Sequence, residues 1–85
     1  MFNSYNIIEK YGEIGRRTDN DGVVWIRELN LISWNGREPL FDVREWSADR
    51  TVMRAGARFN RAELDTLTDI LIKKREAENV GTETK

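Results

Sequence analysis

Eighty-five residues make one domain at most, and a chain this short buries a small share of its surface, so help from a partner is favoured. It has no cysteine and no histidine. Disulfides, thiolate metal sites, cysteine nucleophiles and the commonest general base are excluded together.

The formal net charge of -1 and pI near 5.5 offer no bulk attraction for a polyanion, so a nucleic-acid function has to rest on charge distribution. No apolar run approaches the roughly 20 residues that span a bilayer. Met1 to Tyr11 lacks the basic start and apolar centre of a signal peptide. A cytoplasmic protein without membrane contact is expected.

Phe2 to Tyr11 is mixed in character, with Ile7 and Ile8 its only aliphatic pair, and a short strand has room around Tyr11 to Gly15. Arg16 to Gly22 is polar and ends in Asp-Gly, which reads as a turn or loop. Val23 to Trp34 is the clearest strand, rich in β-branched and aromatic residues. Alternation puts Trp25, Arg27, Leu29, Leu31 and Ser33 on one face, read as core. Ile26, Glu28, Asn30, Ile32 and Trp34 share the other, read as half-exposed.

Asn35-Gly36 is a hairpin signal, because both residues tolerate positive φ. Pro39 precedes a strand from Leu40 to Trp46, in which a core of Phe41 and Val43 leaves Arg44 and Trp46 on the Trp34 side. Ser47 to Thr51 is a polar turn, and Val52 to Phe59 supplies a last strand interrupted at Gly56. Asn60 with Glu63 is an Asn variant of the capping box. The helix it opens carries Leu64, Leu67, Ile70 and Leu71 in one stripe and runs to about Lys74 or beyond. Strands followed by one helix give an α+β class with an antiparallel sheet. Residues 1–75 form the domain, and 76–85 are expected to be a disordered polar tail.

One helix covers one sheet face, so the face with Trp34, Arg44 and Trp46 is left for water, a partner subunit or a ligand. Residues 34 to 61 hold six arginines, and no lysine, against four carboxylates. Arginine combines phosphate recognition with stacking on flat rings. Interleaved Trp and Arg suit single-stranded nucleic acid, where a ring stacks on any base. They equally suit cross-strand packing or a protein interface. Asp42 with Glu45, and Asp65 with Asp69, form no specific acid/base or cation site, and Gly12 and Gly15 no phosphate loop. Neither catalysis, nor a metal, nor a cofactor is expected. Leu64, Leu67 and Leu71 suit both sheet packing and a two-fold dimer contact.

The run Leu29 to Gly36, then Phe41-Asp-Val-Arg-Glu-Trp46, then Met53-Arg-Ala-Gly56 and the Asn60-led helix resembles the positive-cofactor (transcriptional coactivator) single-stranded-DNA-binding family, particularly its small bacterial YdbC-type members. The resemblance spans roughly residues 12 to 71. It implies a strongly curved four-stranded antiparallel sheet followed by one helix, a homodimer, and grooves that take single-stranded DNA.

Carried over by position, it implies a stacking role for Trp34 and Trp46 and phosphate contacts for Arg37, Arg44 and Arg54, with Arg58 beside them. Asn35, Pro39, Ser47 and the short Ala57-Arg58-Phe59 segment depart from the family pattern. The expected function is single-stranded DNA binding with little sequence specificity, with RNA as a second candidate ligand, in transcription regulation or DNA maintenance. The alternative is a protein-interaction module of the same fold that docks a polymerase or replication protein.

Overall fold

The computed structural model describes residues 4–83. Residues 1–3, which include part of the mixed opening segment, and residues 84 and 85 of the expected tail lie outside the described residues. Four strands form one antiparallel sheet in chain order: β1 (Tyr5–Thr18), β2 (Val24–Trp34), β3 (Leu40–Ser47) and β4 (Ala57–Phe59). One helix follows, α1 (Arg61–Glu83). The α+β architecture is the one expected.

Local chemistry sets the connections. Asp19 caps the β1–β2 turn, its Oδ1 accepting from the Asp21 and Val23 amides at 2.9 and 3.0 Å. The β2–β3 hairpin turns at Asn35 (φ 53°) and Gly36 (φ 74°), a pair of left-handed residues that fits a twisted ribbon. At the start of α1 the Glu63 amide donates to Asn60 Oδ1 at 2.8 Å and the Asn60 amide to Glu63 Oε1 at 2.9 Å, a reciprocal capping box. The helix continues past Lys74 to Glu83. The expected disorder from residue 76 is therefore corrected: Glu76, Ala77 and Glu78 are helix formers, and no proline stops them.

β1 is far longer than the segment expected around Tyr11 to Gly15. Its register against β2 slips between Ile7 and Glu9, Lys10 and Gly12, and Glu13 and Gly15. These bulges make Ile8, Tyr11 and Ile14 the extra residues, and each bulge sharpens bend and twist. The last strand is shorter than expected, with Met53 meeting Trp46 only as an isolated bridge.

The curl decides which face is inside. Tyr5 pairs with Trp34, and Ile26 pairs with Trp46. Ile26 and Trp34 are eight residues apart, about 26 Å along a flat strand at ~3.3 Å per residue. The Tyr5 ring nevertheless lies 5.6 Å from both Trp34 and Trp46. The face carrying Ile32, Trp34 and Trp46 is thus the concave side of a sheet that bends back on itself. It forms the core, with Ile7 and Met53 against it.

This reverses the expected sidedness. Leu29, Leu31 and Val43 lie on the convex face and are only half-buried, although Phe41 beside them is buried. Among the strands, α1 approaches β3 and β4 alone. It leaves Leu67, Ile70, Leu71 and Ile72 exposed.

Candidate nucleic-acid interface

The concave basin is built from paired positions on three strands. Trp34 is 6% exposed and Trp46 1%, so the face read as half-exposed holds both rings buried. Curvature brings Tyr5 over both, and guanidinium groups cover what remains. Arg44 lies 4.6 Å and Arg58 4.2 Å from the Trp34 ring centroid, and Arg50 lies 4.5 Å from that of Trp46. Energetically significant contacts of this kind occur about once per 70 to 80 residues. Three in one basin mark a concentrated arrangement.

Arg44 is a buried strut. Its Nε and Nη2 each donate to Asp42 at 2.7 Å, and Nη1 donates to the Arg54 carbonyl at 3.0 Å. Asp42 is wholly buried and Arg44 is 7% exposed. Arg44, expected to meet phosphate, thus has its guanidinium hydrogen bonds directed at Asp42 and the Arg54 carbonyl.

Arg58, paired with Asp42 across β3 and β4, differs. Its side chain is 45% exposed and reaches Asp42 only at 3.9 Å. Arg50 is held in the left-handed region (φ 65°) and lies 3.0 Å from Glu28 Oε1, close enough for an ion pair but not aligned as a hydrogen bond. Arg37 projects from the hairpin, exposed, while its carbonyl accepts from Ser33 Oγ at 2.7 Å.

The basin has more donors than acceptors. The Trp34 and Trp46 indole N–H groups and Arg50 Nη1 are buried without a hydrogen-bond partner. A buried donor left so costs about 1–3 kcal/mol. Each lies in a side chain that takes part in the ring and guanidinium stacks, and the acceptors Asp42 and Glu28 are already committed.

Arg54 is separated from this group. Its amide donates to the Glu45 carbonyl at 3.0 Å, and its guanidinium lies 4.2 Å over Trp25. Trp25 belongs to the convex face with Arg27 and Glu45. Of the six expected contact residues, Trp34, Arg44, Trp46 and Arg58 come together, Arg37 stands at the hairpin and Arg54 is on the opposite face. Tyr5 and Arg50 were not anticipated. Tyr5 sits in a segment whose bulged strand hides its alternation, and Arg50 looked like one charge of a polar turn. Tyr5 is 39% exposed and, among the described residues, offers the basin an accessible ring.

The residues expected at a dimer contact all lie on α1 and differ in exposure. Leu64 is half-buried, Leu67 is 37% exposed and Leu71 is 58% exposed. Among the described residues no helix is long and apolar enough to cross a membrane, and no acidic cluster suits a metal ion.

No family model matches the chain. It is 39% identical over 67 residues to an uncharacterized protein of Treponema pallidum (strain Nichols), a match covering 79% of this chain and 74% of that protein.

Proposed function

The chain belongs to the family of that Treponema pallidum protein, and we propose that it binds single-stranded DNA through its concave basin, as a homodimer. The observation that carries this reading is the gathering of cations and rings around Trp34 and Trp46, where three arginines lie on two rings and the two indole N–H groups have no hydrogen-bond partner. A nucleic-acid strand supplies acceptors in two forms, phosphate oxygens and base carbonyls. Arg37 and Arg58 capture phosphates. Tyr5 supplies the first stacking surface, worth about 1 to 3 kcal/mol per base. Arg44, locked to Asp42, holds the Trp34 ring in place. RNA satisfies the same chemistry, so discrimination between the two is weak.

The homodimer reading is supported by apolar surface that one chain leaves uncovered. Ile8, Tyr11 and Ile14 stand out on β1 at 53, 43 and 59% exposure. The α1 residues Leu67, Ile70, Leu71 and Ile72 stand out in the same way. A cytoplasmic role in transcription or DNA maintenance fits this chemistry.

The near-complete burial of Trp34 and Trp46 favours a second reading, a protein-docking module that binds no strand. The double variant Arg37→Glu/Arg58→Glu separates the two, measured by fluorescence anisotropy of labelled oligo-dT at low salt. The DNA reading predicts affinity reduced by at least about tenfold, or ~1.4 kcal/mol, with an unchanged circular dichroism spectrum. Unchanged affinity contradicts it.

A further inference from the structure

Arg44, Arg16 and Arg17 hold their carboxylates as forks. Arg44 grips Asp42 with two bonds of 2.7 Å, Arg16 grips Glu13 at 2.8 and 2.7 Å, and Arg17 grips Glu45 at 2.7 and 2.8 Å. Arg50 differs. Its Nη1 lies 3.0 Å from Glu28 Oε1, yet this nitrogen is buried and has no hydrogen-bond partner. The same Oε1 accepts from Asn30 Nδ2 at 3.2 Å, and Asn30 is 1% exposed, so the buried amide, and not the guanidinium, takes the aligned bond. Arg50 is thus held by charge and by the Trp46 ring, 4.5 Å away, without the fork that fixes the others.

The charges around it make this cation costly to draw away. Glu28 stands directly opposite Glu13 across β1 and β2, and like charges so placed repel. Arg16 neutralises Glu13, and Arg50 neutralises Glu28. A phosphate that takes Arg50 leaves Glu28 facing Glu13 without its counter-charge. Arg44, paired with Glu28 across β2 and β3, does not replace it, because its guanidinium bonds go to Asp42 and the Arg54 carbonyl. The Arg50 side chain is 32% exposed, so a solute reaches it. Tyr5, with its ring 5.6 Å from Trp46, flanks the same indole.

We propose that Arg50 is a third phosphate-binding residue of the basin and that Glu28 is its built-in competitor, occupying the guanidinium until a strand phosphate displaces it. A phosphate oxygen offers Arg50 the aligned, charge-assisted bond that Glu28 does not. The competition sets the affinity of the basin below what its arginines alone would reach. The inference rests on the strand-binding reading.

Anisotropy of labelled oligo-dT with the full chain tests it. Glu28→Gln, which keeps an acceptor for Asn30, should tighten binding about tenfold, the worth of one charge-assisted hydrogen bond, with an unchanged circular dichroism spectrum. Its slope of log affinity against log salt should steepen by about 0.7, because Arg50 then enters as an uncompensated cation. Asp65→Asn, the same charge change at an exposed position of α1, should alter neither. Adding Arg50→Ala to Glu28→Gln should cancel the gain. In the parent protein the Arg50 Nε–H resonance should move with oligo-dT and saturate with the anisotropy. A gain that survives Arg50→Ala, a gain matched by Asp65→Asn, or an Arg50 resonance unmoved at saturation overturns the proposal. Parent and Glu28→Gln proteins that bind equally sink this inference and leave the strand-binding reading standing. Binding by Glu28→Gln alone sustains the competition and sinks that reading for the parent chain, and binding by neither overturns both.

Discussion

Arg44 and Arg58 share one ring and one carboxylate, yet burial gives them opposite roles. Arg44→Ala leaves the buried Asp42 charge with only the 3.9 Å contact to Arg58, which should cost about 3–5 kcal/mol of stability, read as a fall in the urea midpoint. Arg58→Ala removes a half-exposed group with a 3.9 Å contact, so its midpoint should move little while oligonucleotide affinity falls. If Arg58→Ala unfolds the protein and Arg44→Ala does not, the assignment is inverted.

Carboxylates give an acid limb. Hydrogen bonds from Arg17, from the Trp25 indole and from the Thr51 hydroxyl are the leading causes that hold Glu45, Asp19 and Asp49 below their ordinary pKa values. A carboxyl depressed in the folded state contributes stability that is present above its unfolded value and is lost as pH falls through the folded value. The urea midpoint should therefore hold from neutrality down to pH ~5 and decline below about pH 4, where model carboxyls begin to protonate. Glu45→Gln should flatten part of that decline.

At the scale of elements, features fixed by neighbours in sequence were legible. The Asn60–Glu63 cap and the Asn35-Gly36 turn depend on a few adjacent residues, and both form as read. β1 was not legible, because bulges at Ile8, Tyr11 and Ile14 break the two-residue alternation that marks a strand. The inside face was misread for a related reason. Leu29 and Leu31 look more like core than Asn30 and Trp34 do, but those bulges curl the sheet toward the Trp34 side. Burial there follows from contact between distant ends, such as Tyr5 with Trp46.

Gly56 tests how the chain closes this edge. A Cβ at Gly56 would collide with the Val43 carbonyl and the Arg44 side chain. Gly56→Ala should lower stability and disturb the Arg44 contacts, seen as a lower melting temperature and shifted Arg44 signals, whereas Gly22→Ala should leave those signals in place. The double variant Leu67→Asp/Leu71→Asp should convert a dimer to a monomer by light scattering with its helical signal intact. A monomeric parent protein contradicts the α1 interface.

At the scale of the molecule, the radius of gyration is 16.4 Å and the extents are 55 × 35 × 18 Å. A compact domain of this length has a radius near 12 Å. The excess reflects a helix that lies largely off the sheet with its apolar residues uncovered, the form expected of a subunit. Net charge is -1, so the proposed strand capture would depend on local arginines and be screened by salt. With the two phosphates of Arg37 and Arg58 neutralised, log affinity should fall against log salt with a slope of about -1.4, from about -0.7 per contact on single strands. The most direct measurement is anisotropy of labelled oligo-dT titrated with the full chain across a salt series, with duplex DNA in parallel. The account predicts saturable single-strand binding that weakens with salt and exceeds duplex binding. No binding of oligo-dT at low salt with micromolar protein would contradict it.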